Sequence, residues 1–301
     1  MNNRKKLKVV AYGEVLWDVV ATEKKIGGAP LNVALRMKTF GCKVAMISCV
    51  GKDEDGKAII DEIKKLRLDT NAIMQVENFA TGLVNVTLDD CGSASYEINY
   101  PSAWDKIVLN DFAKKMVDDA DVLIYGSLVC RDKVSRQSLE ELLQTKAYKV
   151  FDVNLRKPHY SYEILEKLMH SANFIKFNDE ELLEIAEAIQ SPFTSLEDNM
   201  YFIAEKTNVT AMCVTKGKNG ALLMWEEQLY ENKGYPIEVA DTVGAGDSFL
   251  AALITSLLTG KSPQIAIDFA CAVGALVAEA PGANPKILPS RIESLMLKNK
   301  V

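Results

Sequence analysis

The chain has 301 residues, 35 Lys and Arg against 41 Asp and Glu for a net charge of −6, and 48% hydrophobic residues. That composition is globular and long enough for one large α/β domain or two average ones. The acidic balance argues against a broad basic nucleic-acid surface, and no apolar run approaches the roughly 20 residues of a membrane span. Only two histidines occur, His159 and His170, which argues against a histidine-rich zinc site and leaves a Ser-His-Asp hydrolase only if one of them is its base.

Arg4-Lys5-Lys6-Leu7-Lys8 precede Val9-Val10-Ala11, but Glu14 and Asp18 interrupt the apolar stretch at once and no small-residue cleavage pattern follows. The segment reads as a solvated tail entering a strand at 8–12. Residues 29–40 predict a helix with Pro30 in its first turn. A strand at 43–50 follows, then a helix at 54–67 on the spacing of Ile59, Ile60, Ile63 and Leu66. Residues 81–99 break the alternation. Leu83–Leu88 and Ser95–Ile98 flank the turn signal Asp89-Asp90-Cys91-Gly92, which is a hairpin pattern. A hairpin cannot supply a βαβ crossover, so it projects from the main sheet as a lid, with residues 14–26 adding strand to it. Strands are predicted at 121–125, 148–153, 173–177, 211–215 and 220–225. Helices are predicted at 132–145, 161–170, 179–189, 196–207, 245–259 and 263–279. Strands alternating with helices imply a mostly parallel, doubly wound sheet in one domain.

Six cysteines are scattered without C-x-x-C spacing, and Cys42, Cys49, Cys213 and Cys271 lie in or beside apolar segments. That usage suits reduced core thiols and a cytoplasmic protein. Two glycosylation triplets, at Asn85 and Asn208, have no consequence without a secretion signal.

The densest motif is Asp241-Thr242-Val243-Gly244-Ala245-Gly246-Asp247, placed between the strand-like Pro236–Ala240 and an apolar helix. Glycines at a helix start let the backbone approach a ligand, and the unpaired N–H groups and dipole of the first turn make an anion hole. A carboxylate there is usually a cap. Beside such a hole, Asp247 can take the proton of an attacking hydroxyl. Gly260-Lys261-Ser262 is no P-loop, since Thr255 stands where the loop needs Gly, and no G-x-G-x-x-G occurs, which weakens a dehydrogenase. Near the N-terminus, Gly13-Glu14 and Asp18 follow the first strand, and Gly27-Gly28 with Asn32 open the first helix. Asp18 can accept hydrogen bonds from adjacent sugar hydroxyls, Gly27 and Gly28 expose backbone amides, and Asn32 can donate and accept.

These two elements resemble the two signatures of the PfkB, or ribokinase-like, carbohydrate kinase family, over roughly residues 8–288. The resemblance implies a three-layer α/β/α sandwich with a mostly parallel central sheet and a small β-hairpin lid. It implies Gly244, Ala245 and Gly246 as the anion hole, Asp247 as catalytic base, and Asp18, Gly27, Gly28 and Asn32 as sugar ligands. Asn178-Asp179-Glu180-Glu181 matches the family's N-x-x-E element, which assigns Asn178 to the nucleotide and Glu181 to an indirect role at Mg²⁺. Without the family it reads as an N-capping Asn followed by dipole-complementing acids. Val214–Gly220 looks like the family's nucleotide-side loop through Thr215, Gly217 and Gly220. Without the family it is a tight turn between two strands. Asp152-Val153-Asn154-Leu155-Arg156 is similar to the D-x-N-x-R strand end of fructokinase-like members, with Arg156 steadying a phosphate or sugar phosphate. Cys271 stands where some members carry an adenine-side Asn. A monovalent-cation (K⁺) site in the family uses Asp241 and nearby carbonyls, including that of Val243.

The implied reaction moves the γ-phosphoryl group of ATP, with Mg²⁺, to a sugar hydroxyl. The signatures and the segment Asn99–Asp105 resemble fructokinases most, so fructose phosphorylated at its 6-hydroxyl is the first expectation. A 2-keto-3-deoxygluconate kinase, or another sugar or nucleoside kinase of the family, is the alternative. A non-catalytic sugar or nucleotide sensor is the alternative of another class, with neither nucleic acid nor membrane as partner. The lid also offers sheet edges for a homodimer.

Overall fold

The computed structural model describes residues 6–20, 23–88 and 94–298. In chain order, β1 (Lys8–Tyr12) is followed by β2 (Leu16–Val20), β3 (Glu23–Gly27), α1 (Ala29–Thr39), β4 (Lys43–Gly51), α2 (Glu54–Lys65) and β5 (Ile73–Val76). The hairpin strands β6 (Gly82–Leu88) and β7 (Ala94–Ile98) lead to α3 (Asp111–Asp118), β8 (Val122–Gly126), α4 (Lys133–Leu142) and β9 (Tyr148–Asp152). Then come α5 (Tyr162–Ser171), β10 (Phe174–Asn178), α6 (Asp179–Ala188), α7 (Leu196–Thr207), β11 (Ala211–Thr215), β12 (Ala221–Trp225) and β13 (Gln228–Asn232). Three helices close the chain: α8 (Ala245–Leu258), α9 (Pro263–Ala278) and α10 (Pro289–Lys298).

Local chemistry sets the helix ends. Asp53 caps α2 by accepting from the Gly56 N–H at 2.7 Å, with Glu54 and Asp55 in the first turn and Lys64 and Lys65 in the last. Both charge placements complement the helix dipole.

Nine strands form the main sheet in the order β13-β12-β11-β10-β9-β8-β1-β4-β5. It is parallel from β11 to β5, with β12 and β13 antiparallel at one edge. The strands bury both faces, and their side chains alternate between two packed layers. Val10, Tyr12, Leu123, Tyr125, Met212 and Val214 face one core with α4–α7. Val9, Val122, Ile124, Ala211 and Cys213 face the other, with α8 and α9. This is the expected three-layer sandwich. From β1 the chain runs to β4 and β5 on one side, then returns to β8 on the other. The order reverses at β1, and ligands of open α/β sheets bind beyond the carboxyl ends of the strands at such a reversal.

The expected projection is a separate four-stranded sheet, ordered β3-β2-β6-β7. β2 pairs with β6 in parallel, so residues 16–20 and the hairpin form one unit, as anticipated. The turn signal at 89–92 lies outside the described residues. Trp104, fully buried, seats the base of this sheet. A Cβ on Gly82 would lie 2.5 Å from its ring. The cysteines at 42, 49, 130, 213 and 271 are buried free thiols, and Cys91 lies outside the described residues. No helix among the described residues is long and apolar enough to cross a membrane.

Two expectations need adjusting. Residues 236–240 form no strand. Pro236 cannot donate to a ladder, and the edge of the sheet is taken instead by β13, a half-polar strand that periodicity did not single out. α3 and α10 were also unanticipated, being short and polar on most faces.

One ion pair anchors the segment that returns from the lid. Arg131 holds Asp105 through two hydrogen bonds of 2.8 Å and lies 3.9 Å from the centre of the Trp104 ring. The two side chains are 3% and 0% exposed. Asp105→Ala would strand a buried guanidinium, so a stability loss of about 3–5 kcal/mol is expected in urea unfolding. A loss below about 1 kcal/mol, the range of exposed pairs, would contradict this account.

Candidate active site

Four strand ends and two helix starts meet at the crevice. Gly13 and Glu14 leave the end of β1, and Arg156 follows β9. Asn178 ends β10, and Thr215 ends β11. The N-termini of α1 and α8 face these strand ends, and the two helices pack together.

The α1 side carries the first predicted group. Gly28 is the residue before the helix, at φ +111°, and a Cβ there would come within 2.3 Å of the Glu14 carbonyl. Only glycine fits that approach and that dihedral. A Cβ on Gly27 would lie 2.1 Å from Asp18 Oδ2, so the Gly27 backbone abuts that carboxylate. Asp18 itself sits on lid strand β2, opposite Lys25 and Val84. Burial pushes its pKa up to about 6, and the Arg156 charge works against that shift. Arg156 is exposed, and its guanidinium donates to the Leu155 carbonyl at 2.9 Å.

The α8 side carries the second group. Gly244 precedes the helix at φ +74° with no side-chain cap, so the first N–H groups of Ala245–Leu258 have no internal acceptor from a capping residue. Asp247 does not cap this helix. Its Oδ2 accepts a 2.9 Å hydrogen bond from Asn32 Nδ2, which joins the two signatures across 215 residues of chain. Burial pushes the Asp247 pKa up to about 6; Asp152 adds to the shift, while Asn32, Lys176 and Arg156 oppose it.

The residues expected on the nucleotide side line one cleft of about 800 Å³. Asn178, Thr215, Gly217, Gly220, Ala245 and Gly246 border it, with Cys271 and Gly274 of α9 on the far wall. Asn178 and Glu181 form a reciprocal capping box: Asn178 Oδ1 accepts from the Glu181 N–H at 2.7 Å, and Glu181 Oε2 accepts from the Asn178 N–H at 2.8 Å. The other oxygen, Oε1, accepts from the Leu155 N–H at 2.9 Å, which ties the Arg156 loop to α6. The cap that the residues alone suggest is therefore present, and it lies at the cleft. Asp241 organises the turn before the anion hole. It accepts from the Val243 N–H at 3.0 Å and the Gly282 N–H at 2.9 Å. Val243 is exposed.

Several groups here escaped sequence reasoning. Lys176, on β10, is buried and pairs with Asp152 at 2.8 Å. A Cβ on Gly246 would lie 3.7 Å from its Nζ, so the ammonium sits directly behind the Gly246 backbone, the turn expected to form the anion hole. Burial disfavours that charge, but Asp152, Glu181 and Asp247 outweigh it and hold the lysine pKa above its ordinary value. Glu14, 3% exposed, has its pKa pushed up to about 7 by burial. Its Oε2, like Asp152 Oδ2, has no hydrogen-bond partner among the described residues. Asn284 donates to Asn32 Oδ1 at 2.9 Å. Glu14 was visible in the Gly13–Asp18 motif without a role. Lys176 and Asn284 carry no motif signal that points to them.

Together these groups make a donor-rich helix terminus with a carboxylate beside it and a cleft leading in, an arrangement able to deprotonate a hydroxyl next to a transferring phosphoryl group. The model of the pfkB family carbohydrate kinases matches residues 2–291. An uncharacterized sugar kinase of Pyrococcus horikoshii is 29% identical over 297 residues, covering 91% of each chain. Its crystal structure in complex with ATP superposes with a TM-score of 0.81 at 28% identity, over 96% of this chain and 99% of that one. A fructokinase of Solanum tuberosum is 27% identical over 314 residues, covering 96% of this chain and 95% of its own. The ribokinase of Thermotoga maritima shares the fold at a TM-score of 0.78 and 20% identity, over 97% of this chain and 100% of that one. The sandwich is thus ribokinase-like, and the chain belongs to the pfkB family of carbohydrate kinases.

Proposed function

We propose that this protein is an ATP-dependent fructokinase that converts fructose to fructose 6-phosphate, with Asp247 as general base. The observation that carries the reading is the Asp247 carboxylate, held by Asn32 next to the N–H groups of Gly244 and Gly246, which have no acceptor among the described residues, while the Ala245 N–H donates to the Thr242 carbonyl at 3.2 Å. The likeness to the Solanum tuberosum fructokinase across nearly both chains supports the choice of sugar. The single kinase domain would use residues of about 14–26 and 81–100 as its lid, and the five buried thiols suit a reducing cytoplasm.

In this reading the sugar lies between Asp18, the Gly27–Gly28 backbone and Asn32, with Arg156 at its edge. Its 6-hydroxyl oxygen attacks the γ-phosphorus, the bond from that phosphorus to the bridging oxygen breaks, and Asp247 takes the hydroxyl proton. ADP and the sugar phosphate leave. The Gly244–Gly246 amides, backed by Lys176, stabilise charge on the moving group. ATP occupies the cleft bordered by Asn178, Thr215, Gly217 and Gly220.

No cluster of three or more metal-ligating side chains occurs among the described residues. An Mg²⁺ that arrives on the nucleotide phosphates needs only one or two carboxylates and keeps its waters, and the unpartnered Asp152 Oδ2 suits such an ion. Glu181, with both oxygens accepting from backbone, would reach it only through water. When bound, Mg²⁺ supplies charge neutralisation on the phosphates. Asp241 and the Val243 carbonyl are the groups that would hold K⁺.

An ATP-dependent phosphorylation screen over fructose, ribose, 2-keto-3-deoxygluconate, glucose and adenosine tests the reading. Fructose is expected to turn over fastest, and turnover with none of them would favour the sensor. Asp247→Asn is expected to keep sugar and ATP binding while kcat falls about 10²-fold or more. Near-normal turnover would rule out the base.

Asp247 must be ionised to accept a proton. Its pKa of about 6 places the acidic limb of kcat/KM near that pH, with activity lost below it. The same shift acts on stability. A folded-state pKa above the unfolded one favours folding at low pH, and the favourable contribution is lost as pH rises through about 6. Asp247→Asn is therefore expected to be more stable than the parent at pH 8, by about 1–3 kcal/mol, with the difference vanishing below pH 4. Equal melting temperatures at both pH values would contradict the burial cost.

A further inference from the structure

Four consecutive residues after α9 each touch a different part of the site. The Gly282 N–H donates to Asp241 Oδ2 at 2.9 Å. The Ala283 Cα lies only 2.5 Å from where a Cβ on Gly244 would stand, so it abuts the anion-hole turn. Asn284 Nδ2 donates to Asn32 Oδ1 at 2.9 Å. The Pro285 carbonyl accepts from Arg36 Nη2 at 3.1 Å, while Arg36 Nε donates to Ser248 Oγ at 2.9 Å. Arg36 lies one turn along α1 from Asn32, and Ser248 follows Asp247 on α8.

We infer that Asn284 is a positioning residue: by donating to Asn32 Oδ1 it anchors the far end of the amide whose NH₂ meets Asp247, and so holds the base in register with the α8 terminus. The inference rests on Asp247 being the base.

The argument is one of hydrogen-bond polarity. An amide side chain has an acceptor end and a donor end. With Asn284 donating to Oδ1, the Asn32 NH₂ must point at Asp247 Oδ2, where a donor favours the ionised carboxylate. With the Asn32 amide reversed, its oxygen would face a carboxylate oxygen at the same distance, a repulsive contact, so Asp247 sets the polarity of the amide and Asn284 holds its Oδ1 end in place. One Asp247 oxygen is thereby committed, and Oδ1 is left for the substrate hydroxyl. Asn284 is itself exposed, so its hydrogen bond gains strength when bound substrate removes water. The other charged groups around Asp247 sit on different elements: Glu14 after β1, Asp152 on β9, Arg156 after it, and Lys176 on β10. None of them contacts Asn32 through a hydrogen bond among the described residues, so apart from Asp247 itself only Asn284 holds that amide.

The test compares Asn284→Ala, which removes the donor, with Asn284→Asp, which turns it into an acceptor and favours the reversed amide. Asp247→Asn is run in parallel. For Asn284→Ala, kcat is expected to fall about tenfold, and for Asn284→Asp about a hundredfold. The acidic limb of kcat should move to higher pH in both, with KM for ATP within about twofold of the parent and melting temperature little changed. Wild-type kcat and an unmoved limb in both variants, while Asp247→Asn is inactive, would overturn this inference and leave the base reading standing. A loss of kcat accompanied by a higher KM for ATP or a lower melting temperature would also overturn it, since that marks general damage to the loop. Sustained turnover by Asp247→Asn would overturn both readings.

Discussion

The Asp247 carboxylate is buried, and the base role proposed for it requires that it ionise there; most of the site answers to that conflict. Burial raises the pKa values of Glu14, Asp18 and Asp247 together. Three raised carboxylates within one crevice give up their protons only as pH climbs toward neutrality, Glu14 last. Asp247 is given the means to ionise there: a donor from Asn32 and the nearby positive charges of Lys176 and Arg156. Its pKa of about 6 is low enough for the ionised form at neutral pH and, for the proposed base, high enough to hold a proton taken from a hydroxyl.

That balance depends on two helix starts being held against each other. Asn32 is one turn into α1 and Asp247 is in the first turn of α8. Both helices begin with a glycine at positive φ. Those glycines let the backbone turn sharply enough for the helix termini to reach the same point. The lid sheet is tied to the same start, because β3 ends at Gly27 and runs directly into α1. The Asp18–Gly27 contact is internal to that junction. A movement of β2 and β3 would therefore shift the Gly27–Gly28 backbone and the Asn32 amide together.

Much of this was legible in the sequence, for definable reasons. Short apolar runs at 8–12, 43–50, 121–125 and 211–215 became strands at nearly those bounds, because strands buried on both faces leave uninterrupted apolar runs. The glycine-rich element before Asp247 announced itself because tight turns and close approach leave a compositional trace. Residues 236–240 misled because an apolar run reads the same whether it pairs in a sheet or lines a cleft. Pro236, Ile237 and Val239 line the cleft. Lys176 was hidden for the converse reason. A single cation within Phe174–Asn178 looks like an ordinary strand residue until the sheet places it behind Gly246. Asn284 is 252 positions from Asn32, a pairing no local pattern can encode.

The acidic character of the chain then takes on a particular meaning. A protein of net charge −6 binds a highly anionic nucleotide, so attraction has to be local. Under the proposed function the cleft would supply it through fixed groups: the Gly246 amide at the start of α8, the Asn178 side chain, and the ammonium of Lys176 beneath Gly246. Lys176 is neutralised on one side by Asp152, which keeps its charge in place without nucleotide. Asp152 keeps one oxygen unpartnered, so this pair presents both signs to whatever occupies the site. The cation lies beneath Gly246, and under the proposed function the spare acceptor would be the one available to a divalent ion carried by the phosphates.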